Sequence, residues 1–214
     1  MKKSIVITTG AIGLLGAMLT GVGEFILHFD ALSRFSENQF FLGISAERTN
    51  WGHFIGVLGA PLYLLGCWHI YLMLRPANPR WSLVAFFVMA YGFVVGIVWI
   101  GSRASISALI NVPTSPEIER LIALYDLRYE TLLQVIRFAV VILSVIFVWL
   151  TLTGRSHYPK WMAILNPILL IVASFVIFAI APELGKYLMP IALNVAFGVF
   201  FIASISIARK REFE

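Results

Sequence analysis

Charge is what this chain has least of. Lys, Arg, Asp and Glu together make up 13% of its 214 residues, and 60% are hydrophobic. A water-soluble domain carries roughly a quarter charged residues, so that class is excluded. Cysteine is nearly absent too: the single Cys67 lies inside an apolar run. No intramolecular disulfide is possible, and redox compartment cannot be read from it. There is no HExxH or CxxC spacing, no low-complexity tract, no long linker and no clear internal repeat. The 16 Lys and Arg against 11 Asp and Glu leave a basic balance, but no basic stripe with interleaved aromatics accompanies it, so no nucleic-acid partner is expected.

What is present is a series of apolar runs of about 20 residues, each long enough to cross a ~30 Å hydrocarbon layer as a helix. Six spans are expected, at roughly 5–28, 52–74, 81–103, 132–153, 159–181 and 187–208. "RPANPR" (75–80), "TGRSHYPK" (153–160) and "APELGK" (181–186) separate several of them, with Pro and Gly marking where helices stop. The expected fold is therefore all-α: one polytopic six-helix membrane domain over residues 1–214. Met1-Lys2-Lys3 and the apolar stretch behind it resemble a signal peptide. That stretch runs through Leu27 without a small-x-small cleavage site, so it reads as a retained first helix.

Charge sets the orientation. With the N-terminus inside, the inner segments hold nine bases (Lys2, Lys3, Arg75, Arg80, Arg155, Lys160, Arg209, Lys210, Arg211) against Glu212 and Glu214. The outer segments and the helix ends facing them hold the other seven bases and nine acids. The positive-inside rule then places both termini in the cytoplasm of a bacterial-type cell, with the protein in its inner membrane.

Two outer connections are longer. In residues 29–50, "QFFLGI" is expected to dip into the membrane interface, and Asp30 to cap the first helix. After the third span, Ser115-Pro116-Glu117 has the form of a helix start: a Ser cap, Pro at the first helical position and acids in the first turn. No breaker follows until Gly154. The fourth helix is thus expected to begin near Pro116 and to reach about 55 Å, more than the bilayer needs.

Ionisable residues inside spans cost about 2.5–3.5 kcal/mol near the bilayer centre and usually face the protein interior. Glu24 and His28 lie one turn apart on the first helix, with Thr20 and Gly21 just below. His53 opens the second span, and Ser102 and Arg103 close the third. On the fourth helix Glu119, Asp126, Glu130, Gln134 and Arg137 share one face, a polar stripe. Arg137 is expected to pair with Glu24, and Glu130 with Arg103 or a histidine; Glu183 arrives on the same side. His69, amid Trp68 and Tyr71, fits an aromatic belt. His157 belongs to a solvated basic loop. Asn166-Pro167, and Pro190 with Asn194, fit kinks whose freed backbone groups an amide covers.

The expected site is an outer-leaflet polar pocket. Glu24, His28, His53 and Glu130 are its candidate catalytic groups, and Arg103, Gln134 and Arg137 would orient an anion. Imidazole and carboxylate ligands suit zinc, which makes His28 and His53 candidate metal ligands. Haem ligation by the same pair is disfavoured, because both histidines stand at extreme helix ends. In chemical types alone the pattern is similar to the membrane hydrolases related to alkaline ceramidases, which place several histidines, an aspartate and a serine in a seven-helix core. This chain departs from them in having six expected spans, no paired histidines near its last helix, and Ser102, Ser105 and Ser107 without a histidine nearby. The functional expectation is a metal- or acid–base-dependent hydrolase of a lipid-like substrate. The alternative is a non-enzymatic carrier or accessory subunit whose charged pairs are structural, with membrane lipids and an amphipathic small molecule as partners.

Overall fold

A computed structural model of the chain describes residues 2–32 and 38–213. Among these there is no strand, and eight α-helices follow one another: α1 (Lys3–His28), α2 (Ala46–Gly59), α3 (Tyr63–Leu74), α4 (Pro79–Ile110), α5 (Pro116–Leu152), α6 (Pro167–Ile180), α7 (Pro182–Leu188) and α8 (Ala192–Lys210). Five helical stretches are long and apolar enough to cross a bilayer: α1, α2–α3, α4, α5 and α7–α8. This is the make-up of an α-helical membrane bundle. Arg34 and Glu37, which belong to the outer charges, and Glu214, which belongs to the inner ones, lie outside the described residues.

Local chemistry explains most boundaries. The fourth helix starts where the capping pattern places it, with Ser115 Oγ accepting from Ile118 N at 3.3 Å. It ends ahead of Gly154, whose φ of +73° suits a residue without a side chain. Ser45 likewise caps α2 by accepting from Arg48 N, so the second helical stretch begins six residues before the expected 52. It is also interrupted: Pro61 has no N–H to give, and Ala60–Leu62 tightens into a 3-10 turn between α2 and α3. α4 runs two turns past the expected Arg103, to Ile110.

The fifth span needs correction. Asn166 precedes a proline and sits in extended backbone, which splits the segment into a 3-10 stretch, Lys160–Leu165, and the 14-residue α6. At 1.5 Å per residue α6 covers about 21 Å, short of a bilayer. Asn166 caps α6, accepting from Ile168 N and Leu169 N. The last stretch starts earlier than expected, at Pro182, and Pro190 sits in a 3-10 turn between α7 and α8.

α1 packs against α2, α3 and α8; α2 and α3 pack on α4, α4 on α5, and α6 on α8. Glycine makes the α1 contacts possible. A Cβ on Gly13 would lie 2.6 Å from Gly66 Cα, and one on Gly23 would collide with the Gly56 backbone. The two helical stretches therefore meet backbone to backbone, as small residues allow between helices in lipid.

Polar bonds identify the two ends of the bundle. At one end His69 is fully buried, with Nδ1 2.7 Å from Val6 O and Nε2 2.6 Å from Ser204 Oγ, which also meets Tyr158 OH at 2.8 Å. Burial raises the Tyr158 phenol above its ordinary value and keeps it protonated. This network brings the start of α1, the end of α3, the turn after α5 and the end of α8 together. His69 is a core residue and not an aromatic-belt histidine, because Gly10 leaves room for its ring. His157 is half-buried against the Phe213 ring instead of freely solvated. At the opposite end Phe41 and Ile44 of "QFFLGI" are buried with Leu27, Ile106 and Tyr129, while Leu42 stays exposed.

Replacing Gly23 by Val should lower the thermal midpoint in detergent by many degrees, since the Gly56 backbone cannot retreat. Gly198→Ala, where nothing lies within 4 Å, should leave the midpoint equal or slightly raised. Equal behaviour of the two variants would show that the close approach does not hold the bundle.

Candidate functional site

α1 carries the carboxylate and imidazole of the site, one turn apart, but they serve separate groups. Glu24 is 6% exposed, and Asn194 Nδ2 donates to its Oε2 at 2.6 Å. Asn194 Oδ1 in turn accepts from the Tyr63 hydroxyl at 2.8 Å. α1, α3 and α8 are thereby linked by a buried chain, with the Tyr63 ring stacked on Phe93 of α4. Asn194 thus holds Glu24 and does not cover backbone freed by Pro190.

His28 faces α4. Arg103 Nε donates to His28 Nε2 at 2.9 Å, which leaves the imidazole proton on Nδ1. Arg103 is only 5% exposed and is surrounded by aromatic rings: Tyr129 at 4.1 Å from the guanidinium carbon, Phe40 and Phe41 at 4.8 Å, Trp99 at 5.5 Å. Cation–π attraction replaces part of the hydration this charge loses. The loop supplying Phe40 and Phe41 is pinned by Asn111, whose Nδ2 donates to Phe41 O at 3.0 Å, and by Asn38, which donates to Asp126 at 2.9 Å. Gly43 makes the intervening turn with φ +79°. Arg48 satisfies the end of α1, its Nε donating to Ile26 O at 2.6 Å. Asp30 accepts from Leu32 N just beyond that end.

Between the two apolar clusters lies a cavity of about 390 Å³. Residues of α1, α3, α4, α5, α6 and α8 line it, including Tyr63, Phe93, Leu143, Phe175 and Phe197, and its wall is overwhelmingly apolar. Its polar members are few: Thr20 and Glu24 from α1, Trp99 from α4, Arg137 from α5 and Asn194 from α8. Thr20 Oγ1 and Trp99 Nε1 are buried with no hydrogen-bond partner among the described residues. Such orphans are rare in native proteins and ask for an explanation.

The structure brings Glu24, His28 and Arg103 into one region and puts Arg137 on the same cavity wall as Glu24. It does not pair them as expected. Among the described residues Glu24 makes no ion pair with Arg137, because Asn194 has taken its place, and Arg103 bonds His28 rather than Glu130. Glu130, Gln134 and Glu119 are exposed on α5, and so is Arg137, although it also lines the cavity. Glu183 pairs with Lys186 on α7 at 2.6 Å. His53 faces the α4 side near Gly101, its ring against Phe54, and among the described residues no contact joins it to His28. Nor is any group of three or more described His, Cys, Asp or Glu side chains arranged to hold a metal ion. The geometry lends the zinc expectation for His28 and His53 no support: His28 Nε2 accepts from Arg103, and no described contact brings His53 to it.

Asn194, Tyr63, Trp99 and Arg48 are not legible in the sequence as site residues. Nothing in their local sequence separates a tyrosine after a proline turn, or a tryptophan in an apolar run, from ordinary packing. Thr20, four residues before Glu24, does carry a signal through its helical spacing.

His28→Ala should destabilise the protein by about 1–3 kcal/mol, the cost of leaving a buried donor unpaired. His28→Gln, which restores an acceptor, should recover much of it in chemical unfolding from detergent. Full stability in His28→Ala would show that the aromatic rings alone hold Arg103.

Neither the curated proteins nor the solved structures offer a match to this chain. Residues 1–211 match the model of a family described as "Family of unknown function (DUF6796)", and the chain belongs to that family.

Proposed function

We propose that this chain is an integral membrane protein of the bacterial inner membrane that binds a lipid-like amphipathic molecule with an anionic head, as a carrier or accessory subunit. The observation that carries the reading is the cavity itself: about 390 Å³ of largely apolar space with an arginine, Arg137, on its wall. That volume is within the range of small-molecule sites, and such sites pair an apolar lining with a few orienting polar groups. Arg137 has no acidic partner within ion-pair distance among the described residues. It extends from an apolar helix, where a guanidinium suits a carboxylate or phosphate. Hydrolysis of the ligand has less support. His28 is committed to Arg103, Glu130 is exposed, and Glu24 has only the Thr20 and Tyr63 hydroxyls near it on the cavity wall.

Six crossings with both termini in the cytoplasm complete the proposal. The His69 network supports an even number, since it joins the start of α1 and the end of α8. The same end carries the turn around Tyr158, next to Arg155 and Lys160. Lys160–Leu165 at a 3-10 rise and α6 at an α-helical rise would together reach about 33 Å, enough for one pass.

Two measurements test this. A reporter fused after Glu214 should read as cytoplasmic; a periplasmic signal would reverse the topology. Stearate titrated into the purified protein in nanodiscs should bind more tightly than stearyl alcohol, with Arg137→Gln weakening stearate by roughly tenfold. Gly96 lines the cavity, and a Cβ added there would have its nearest neighbour, Ile136 Cδ1, 4.0 Å away. Gly96→Phe should therefore fill the space and abolish binding of both. Binding unaffected by Gly96→Phe would place the ligand elsewhere.

A further inference from the structure

The cavity opens on one side, and the exposure of its lining shows which. Lining residues of α1, α3, α4 and α8 are all buried or half-buried. The exposed ones are Arg137 and Val141 on α5 and Val172 and Phe175 on α6. Val141, Val172 and Phe175 are 48%, 49% and 52% exposed. A mouth between α5 and α6 accounts for this pattern. α6 is held in place by other elements: it packs chiefly on α7 and α8 and only lightly on α5. Asn166 caps its start, and near its end Gly185 of α7 lies so close that a Cβ there would collide with the Phe178 backbone. Along the bundle axis both ends are packed with buried rings, Phe41 and Tyr129 around Arg103 at one, Phe147, Tyr158 and Phe200 at the other. No Lys, Arg, Asp or Glu occurs in residues 138–154 or 161–182. The rim of the mouth is therefore apolar, with Arg137 as the charge at one edge.

We infer that an anionic lipid of the bilayer loads this cavity sideways, passing one acyl chain between α5 and α6 while its head stays at Arg137 on the rim. This rests on the amphiphile-binding role proposed above and adds the ligand's source and route. A guanidinium deep in the cavity would oblige the head to shed its water against an apolar wall. At the rim it pairs with the head while only methylenes cross that wall. Arginine's long stem also carries its charge outward along α5, toward the headgroup level. Val141 stands one turn from Arg137, so the mouth begins beside the head's anchor. Head size is then not limited by the cavity, and a second chain can remain among neighbouring lipids. The site accepts one chain of a two-chain lipid as it accepts a single-chain acid.

The test places nitroxide-labelled stearate, or phosphatidate labelled on one of its two chains, in nanodiscs with the full chain. Lipid chains held against protein give a motionally restricted EPR signal, and the part of it lost in Gly96→Phe belongs to the cavity. Both acids should give that part, since a slit admits one chain and leaves the other outside. Val172→Trp, at the mouth, should slow exchange between the restricted and mobile signals roughly tenfold for both. Ile202→Trp, on an exposed face of α8 and outside the cavity lining, should leave exchange unchanged. A cavity signal from stearate without one from phosphatidate overturns the sideways route and leaves the amphiphile-binding role standing. Exchange in Val172→Trp that matches the unsubstituted protein does the same. Failure of both acids to give a cavity signal overturns the amphiphile-binding role itself, and this inference with it.

Discussion

The close approach of α1 to the α2–α3 stretch is the constraint on which the rest of the structure depends. Within lipid, burying apolar surface between helices gains little, so association rests on packing and on interhelical hydrogen bonds. Gly13 against Gly66 and Gly23 against Gly56 bring two backbones into contact. That contact fixes the rotation of α1 about its own axis, and the other faces of the helix follow. Glu24 is turned to α8, where Asn194 meets it, and His28 to α4, where Arg103 meets it. A bulkier seam would move α1 outward and open both bonds together.

Each end of the bundle then carries its own polar lock. The His69–Ser204–Tyr158 network closes the end shared by the two chain termini, and the Arg103 cage closes the other. Both join helices through buried hydrogen bonds and are packed with rings, the arrangement expected of groups whose task is to hold helices in register. The cavity between them differs in kind. Its wall combines apolar side chains with Arg137 and a carboxyl group singly bonded among the described residues. Function is proposed for the middle of the bundle because an arginine without a described acidic partner lies there on an apolar wall.

Much of the fold is legible in the chain. The 37-residue α5 follows from Ser115-Pro116-Glu117 and from the lack of any breaker before Gly154. The misreading of the fifth span has a local cause, since hydropathy sees residues 159–181 as one run while Asn166-Pro167 divides it. The polar residues of α5 do share a stripe along the helix. Most of that stripe nevertheless faces outward, because helical periodicity shows which residues share a face and not what that face meets. Charge alone suggests a pair between Glu24 and Arg137; an uncharged Asn194, 170 positions away from Glu24, takes the contact instead.

Composition and periodicity by themselves determined that the chain is helical, that it suits a bilayer, and where α1, α4 and α5 start. These are local properties: propensity, capping and the length of apolar runs act within a few turns of backbone. Only the tertiary structure decided that His28 serves Arg103, that His69 belongs to the core, and that Thr20 and Trp99 share a cavity without described partners. Those outcomes depend on the rotation of each helix against its neighbours. That rotation is set by steric contact across the glycine seam, between residues about 30 to 50 positions apart.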